Sequence, residues 1–503
     1  MKKILSMFMI FSIFLFGQPV VAQEQENNLA EEIIYNIMVD RFNIGHPEQS
    51  EQVDIQDFLA YHGGDIIGIT NKLDHIQQHG FTTITISSVF ENAEKGYHGY
   101  WIEDFYAVEE EFGSLEELKT LVEEAHKRDL KVVLELVTNY ASETHEFVTD
   151  STKTDWFREN TLATTEATTW LDDVVMFNQD NPEVQEYLID VAEFWLTETN
   201  ADGFKLHAAD QSSPAFLEQL VDAIYNIKPD AYVLAGVLDE HADLEDLHAI
   251  EGINAVEQAD LLETLVDTFS QVDQPVSNIY EAWETNGSYT DLSYIDNQYT
   301  KRFTHAFSEN ERNKVTAWKL ALTYLYTTPG IPSIYQGSEV AMIGEGFPEN
   351  QYLVLFNHND KNLTEFFEKI ASLRTEFPAL QHGDFEQVGE NGAMSLFKRT
   401  YNDETMYIAI NNDSVSRAVH LTDIDTDLQL RGVIGDNTVR ANDDGEFIVG
   451  IEREAVEVYM VQPNQGFNWW FIGFVVGVFI LFVIFVNVLS RKSRKQAQAN
   501  KKQ

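Results

Sequence analysis

Short β-branched runs alternate with amphipathic helical stretches along about 350 residues, and this alternation constrains the fold more than any other feature of the chain. Phe81-Thr82-Thr83-Ile84-Thr85-Ile86 is such a run. After a loop, Ser114-Leu115-Glu116-Glu117 reads as a capping box, with Ser114 as N-cap and Glu117 three residues on. Leu115, Leu118, Leu121, Val122 and Ala125 then share one helical face. A strand follows over 131–137, a helix over 184–197, a strand over 203–206, a helix over 216–227 and a strand over 231–237. The stretches 261–269, 302–307, 315–326 and 331–335 complete the alternation. Repeated strand-helix units of this length predict an α/β fold, a (β/α)8 TIM barrel over 23–380. A short insertion is expected after the third strand, over 141–178. Beyond about Gln381 the texture changes to short alternating strands, at 394–398 and 406–410, which predicts a small β-sandwich over 381–462.

The two ends predict where the chain works. Met1-Lys2-Lys3 precedes an apolar run over 4–16, and Val20-Val21-Ala22 offers small residues for cleavage, so 1–22 reads as a secretory signal. Trp469 and Trp470 lead into an apolar stretch of about 20 residues, halted by Arg491, Lys492, Arg494 and Lys495. A transmembrane helix is therefore expected over 468–490, with a basic cytoplasmic tail over 491–503 and everything before it outside the cell.

Composition narrows the partners. Of 33 Lys+Arg, eight lie in the two ends, leaving 25 against 83 Asp+Glu, an excess of about 58 negative charges outside the cell. Such a surface repels nucleic acid and anionic headgroups; it is either solvated for saline surroundings or shaped for a basic partner. Cysteine is absent, so neither disulfides nor thiolate chemistry operate. An extracellular domain of roughly 445 residues, from a chain 44% hydrophobic and 12% aromatic, can instead bury a sizeable core.

Asp202-Gly203-Phe204-Lys205-Leu206-His207-Ala208-Ala209-Asp210 resembles the "GFRxDxxKH" motif of the alpha-amylase family of glycoside hydrolases. The resemblance extends through Ile34 to Phe42, His62-Gly63-Gly64-Asp65, Tyr97-His98-Gly99-Tyr100-Trp101, Phe112-Gly113-Ser114 with Ala125-His126-Lys127-Arg128, and Thr328 to Glu339, in family order. It implies a retaining enzyme of alpha-glucosidic bonds, whose nucleophile ends strand four, whose acid/base follows strand five and whose third acid follows strand seven. Retention requires the first two carboxyls about 5 to 5.5 Å apart.

At each of those places the chain departs from the family. His207 stands at the nucleophile and Lys205 at the arginine beside it. Tyr232-Val233-Leu234-Ala235-Gly236-Val237 aligns with "hlxGEV", putting Gly236 at the acid/base. Strand seven, "FxDNHD", admits three registers, which put Ser308, Ala306 or Arg312 at the last acid. Glu135-Leu136-Val137-Thr138-Asn139-Tyr140 matches "DxVxNH" with Tyr140 for the histidine. Asn139 keeps the position that the family uses for a structural calcium, but Met176 takes the companion acid's place in "LPDLN". A thioether is a poor ligand for a hard cation, so no cofactor is expected and a calcium site at Asn139 should be absent or weak.

Two functions follow from the resemblance. The first is a catalytically inactive, membrane-anchored member that binds alpha-glucan or a protein partner at the outer face. Tyr100 and Trp101 would then stack on sugar, with His98, Tyr140 and Lys205 around them; alternatively these rings simply fill the barrel mouth. The second is an active alpha-glucan hydrolase or glucanotransferase using relocated carboxylates from Glu135, Asp210, Asp239 or Glu309. An obstructed mouth around His207 would argue against both sugar readings.

Overall fold

The structure, a computed structural model, describes residues 29–46, 53–464 and 469–500. The expected signal over 1–22 lies outside the described residues. Eight parallel strands form the central sheet: β1 (Ile34–Ile37), β2 (Thr83–Ile86), β3 (Lys131–Leu136), β4 (Gly203–Leu206), β5 (Tyr232–Ala235), β6 (Ala255–Val256), β7 (Leu292–Ser293) and β8 (Ile331–Tyr335). Their order is β6-β5-β4-β3-β2-β1-β8-β7. A single bridge from Glu257 to Leu292 and the Gln258 N–H to Leu292 O bond of 3.1 Å join the two ends, so the sheet closes into a barrel.

The period of two along each strand decides what the lumen contains. Ile34, Val133, Leu234, Ala255, Leu292 and Ile331 form one apolar cluster low in the barrel. Two residues further along β3 stands Glu135, which pairs in register with Lys205 on β4. Asn36, Thr85 and Ser333, linked by hydrogen bonds, face the same level. The floor is therefore dry and the layer above it polar.

Helices wrap the outside. Ser114 and Glu117 form the capping box of Leu115–His126, whose Leu118, Leu121, Val122 and Ala125 are buried against the sheet. The inserted segment folds into a three-stranded antiparallel sheet, Tyr140–Ser142, Val174–Phe177 and Phe157–Arg158, preceded at its last strand by the turn Glu166–Asp173. After the barrel, Asp384–Asn391, Met394–Tyr401, Glu404–Asn411, Leu428–Gly432, Thr438–Arg440 and Ala455–Pro463 make a six-stranded antiparallel sheet. Arg417–Leu421 and Phe447–Ile451 form a second sheet, and Leu396, Ala409, Val419, Phe447, Val449 and Tyr459 pack together as their core. The last element is the helix Trp469–Asn500, whose stretch Gly473–Arg491 is long and apolar enough to span a bilayer by length and composition.

Strand seven corrects the sequence reading. The stretch 302–307 belongs to a helix, Phe303–Glu309, and β7 lies earlier, at Leu292–Ser293. A two-residue strand carries no periodicity, whereas Phe303 and Phe307 on one buried helical face supply an apolar pattern that distracts from it.

Candidate active site

The C-terminal ends of β3, β4 and β5 carry the residues that the sequence singled out. Glu135 and His207 meet there: His207 Nδ1 lies 2.8 Å from Glu135 Oε1. The other oxygen of Glu135 accepts the Ser88 N–H at 3.2 Å and the Tyr100 hydroxyl at 3.3 Å. Burial alone would push this carboxyl up, but His207 and then Lys205 outweigh it, so Glu135 is held below its ordinary pKa. Glu135 thus stays an anion with a hydrogen-bond partner on each oxygen.

Lys205 is committed elsewhere. Its Nζ lies 2.6 Å from Glu257 Oε1, with the two side chains 8% and 10% exposed. Burial opposes the ammonium charge, yet Glu257 and Glu135 keep its pKa raised. Glu257, just beyond β6, also accepts the Val237 N–H at 2.9 Å. This pair occupies the space beside Gly236: a Cβ there would meet Lys205 Cε at 3.2 Å and have Glu257 Oε2 at 3.7 Å. The sequence offered Glu257 only as an acid following a short β-prone pair, and it was not singled out.

Aromatic rings close the mouth above these charges. Gly99, at φ 86°, brings its backbone so near Ser88 that a Cβ would meet Ser88 O at 2.7 Å; this turn drops Tyr100 inward. The Tyr100 ring packs 4.2 Å from His207 and 4.5 Å from Trp170. Trp170, from the inserted segment, lies 5.3 Å from Tyr140 and accepts the Trp101 Nε1–H on its carbonyl at 2.9 Å. Tyr100 is 1%, Tyr140 0%, His207 3% and Trp170 6% exposed. His98 packs edge-on to Trp101 at 4.7 Å and accepts the Tyr100 N–H; burial lowers its pKa to about 3, so it is neutral. Only about 20 Å3 of space remains between Tyr100, Glu135, Lys205 and Gln298, room for about one water.

A stretch that the sequence reading missed offers a further register for the third acid. After β7 runs Tyr294-Ile295-Asp296-Asn297-Gln298-Tyr299, which sets the "DN" of "FxDNHD" on Asp296-Asn297 and puts Tyr299 at its end. Tyr299 Oη lies 3.2 Å from Tyr100 Oη. Asp296 is turned away to Arg302 and to the Phe303 N–H. Ser308 instead donates to Thr304 O on the helix, remote from the mouth, and Ala306 and Arg312 belong with that helix and its following loop. The Asp296-Asn297 pair was the signal available in the sequence.

The remaining carboxylates do not converge on the centre. Asp210 accepts the N–H groups of Leu238 and Asp239 at 2.8 and 3.1 Å and so fastens the loop after β5. Asp239 is exposed and accepts the His241 N–H. Glu309 is exposed and paired with Lys301 at 2.9 Å. Beside the closed mouth lies a cleft of about 790 Å3, walled by the inserted segment at Thr165 and Glu166, by Asp239, and by Asn297, Tyr299 and Phe347.

The residues around Asn139 do not fit a calcium ion. Asn139 Oδ1 accepts from Ser212 Oγ at 2.7 Å and Gln179 Nε2 at 3.2 Å, so donors occupy the lone pairs that a cation would need. Met176, in the companion position, is buried.

Comparison with known proteins agrees with this architecture. The family model of the alpha-amylase catalytic domain matches residues 36–377, and that of an alpha-amylase C-terminal domain matches 383–459. A beta/alpha-amylase of Paenibacillus polymyxa is 29% identical over 86% of this chain, which spans only 38% of that relative. A cyclomaltodextrin glucanotransferase of Geobacillus stearothermophilus is 26% identical over 88% of this chain and 70% of its own length. Among solved structures, an Anoxybacillus alpha-amylase superposes with a TM-score of 0.83 at 39% identity, covering 87% of this chain and 99% of that one. An alpha-amylase of Geobacillus thermoleovorans, solved with acarbose, gives 0.80 at 37% identity over 87% and 100%. By its barrel, its C-terminal sheets and these matches, the chain belongs to the alpha-amylase family of glycoside hydrolases.

Proposed function

We propose that this protein is a catalytically silent member of the family, held at the outer face of the cell membrane by its C-terminal helix, and that it binds rather than cleaves. The observation that carries the reading is the His207–Glu135 pair beneath the rings of Tyr100, Tyr140 and Trp170. Hydrolysis with retention needs one carboxylate free to attack and one carboxylic acid free to protonate the leaving oxygen. Here an imidazole and a glycine stand in those places, and the nearby acids, Glu135 and Glu257, are engaged by His207 and Lys205. The cleft beside the mouth is the seat for the ligand, an alpha-glucan chain or a protein partner. A C-terminal span with a basic tail sets the barrel outside the cell.

One observation favours a second reading, an active alpha-glucan hydrolase. Glu257 brings a carboxylate next to the family's acid/base position, and Glu135 stands on the neighbouring side of Lys205. Such an enzyme would have to displace Lys205 and the rings before substrate reached either acid.

The test is an assay of the full chain in detergent with malto-oligosaccharides and a chromogenic alpha-glucoside, at several salt concentrations. Silence is expected. Turnover that vanishes in Glu135→Gln, Glu257→Gln or Asp239→Asn would refute the inactive reading. Glucan affinity electrophoresis then separates the two binding modes: retardation abolished by Asn297→Ala or Phe347→Ala assigns a glucan to the cleft, and its absence leaves a protein partner.

A further inference from the structure

Gln179 follows the inserted segment and is buried where three pieces of chain meet. Its Nε2 donates to Thr138 O at 2.9 Å and to Asn139 Oδ1 at 3.2 Å, and its Oε1 accepts the Ser213 N–H at 2.7 Å. Asn139 returns the connection: its Nδ2 donates to His207 O at 3.0 Å and Ala208 O at 2.8 Å, while Ser212 Oγ donates to its Oδ1. The Asn139 carbonyl accepts the Phe177 N–H at 2.8 Å. Ala208 holds a left-handed φ of 48°, a strained turn for a residue with a Cβ, and the two bonds from Asn139 pin its carbonyl and that of His207.

Every donor and both acceptor positions of Asn139, and both donors of Gln179, are therefore used. They bind the loop after β3 to the returning end of the insertion and to the turn after β4. Trp170 sits between the insertion's two ends, over His207.

We infer that Gln179, with Ser212, is a protein-only latch that does the work expected of a calcium ion at Asn139, and that it holds the inserted segment shut over the His207–Glu135 pair without any metal. A cation would need oxygens facing Asn139 Oδ1; an amide N–H and a hydroxyl proton face it instead. The inference does not depend on catalytic silence, because its readouts are melting and exchange: turnover would overturn the proposed function and leave the latch standing.

The experiment uses the full chain in detergent micelles. Thermal unfolding is compared in excess calcium and in chelator, and hydrogen exchange is followed in peptides covering 166–177 and, as an internal control, the helix Pro182–Thr199. The expected result is a melting temperature that differs by less than about 1 °C between the two conditions. Gln179→Ala should lower it by roughly 3 °C and speed exchange over 166–177 about tenfold relative to the control helix. If Gln179→Ala does not fold, Ser212→Ala removes one donor and should speed the same region by a smaller factor. Calcium that raises the melting temperature by several degrees, or slows exchange over 166–177, overturns the inference. So does a variant that melts earlier without selective opening of 166–177.

Discussion

Lys205 and Glu257 test the closed mouth directly, because a buried ion pair is costly to break and a solvated one is not. The two side chains are nearly inaccessible and their contact is 2.6 Å, so little solvent is at hand to replace a lost partner. Lys205→Met keeps the length of the side chain and leaves no large cavity, but it strands Glu257 with the single Val237 N–H and removes a cation from beside Glu135. Removing one member of such a pair costs about 3–5 kcal/mol. Glu257→Gln should cost less, about 2 kcal/mol, since Lys205 keeps the attraction of Glu135 and the glutamine oxygen can still accept from Val237. The double variant buries no unpaired Glu257 charge and should be more stable than Lys205→Met alone, giving a coupling of more than about 2 kcal/mol. Urea unfolding of the four proteins, followed by tryptophan fluorescence, yields the cycle. Single costs under about 1 kcal/mol that add without coupling would mean that water reaches the pair and that the mouth is not sealed.

Other perturbations probe the same centre. Glu135 is held below its ordinary pKa by His207, so its contribution is present above the unfolded carboxylate value near 4.5 and is lost as the pH falls below the depressed value. His207→Phe should erase that contribution and move the acid-unfolding midpoint upward, as followed by circular dichroism; an unchanged midpoint would refute the pairing. Gly236→Glu puts a carboxyl where the motif resemblance expects the family's acid but drives a side chain against Lys205 Cε and Leu206 O, each 3.2 Å from its Cβ. It should lower the melting temperature and yield no turnover on a chromogenic alpha-glucoside. Trp170→Ala should cost about 3–5 kcal/mol through the void that it leaves, and a dye that senses apolar surface should brighten on binding the opened mouth; a variant as stable as the parent would show that the ring contributes little to the closure.

Local patterns made much of the fold legible. The capping box at Ser114 and Glu117 formed as its spacing requires, and β2, β3, β4 and β5 lie where β-branched or apolar runs predict them. Such signals survive in sequence because a strand's period or a helix cap depends on neighbours a few residues away. The departures expected at His207 and Gly236 rest on motifs that lie on their own strands, β4 and β5. β6 and β7 were not, because two residues are too few to show a period, and the apolar face of the helix Phe303–Glu309 offered a false one.

What the sequence by itself determined is therefore the repeat of strand and helix, the apolar C-terminal helix and the residue types at β4 and β5. What only the tertiary structure decided is how those residues are used. Glu135 meets His207 across 72 positions, Lys205 meets Glu257 across 52, and Tyr100 meets Tyr299 across 199. No local propensity encodes such pairs; closing a ring of eight strands brings them to one level of one lumen, where burial makes each charge seek a partner and each ring fill the space left open.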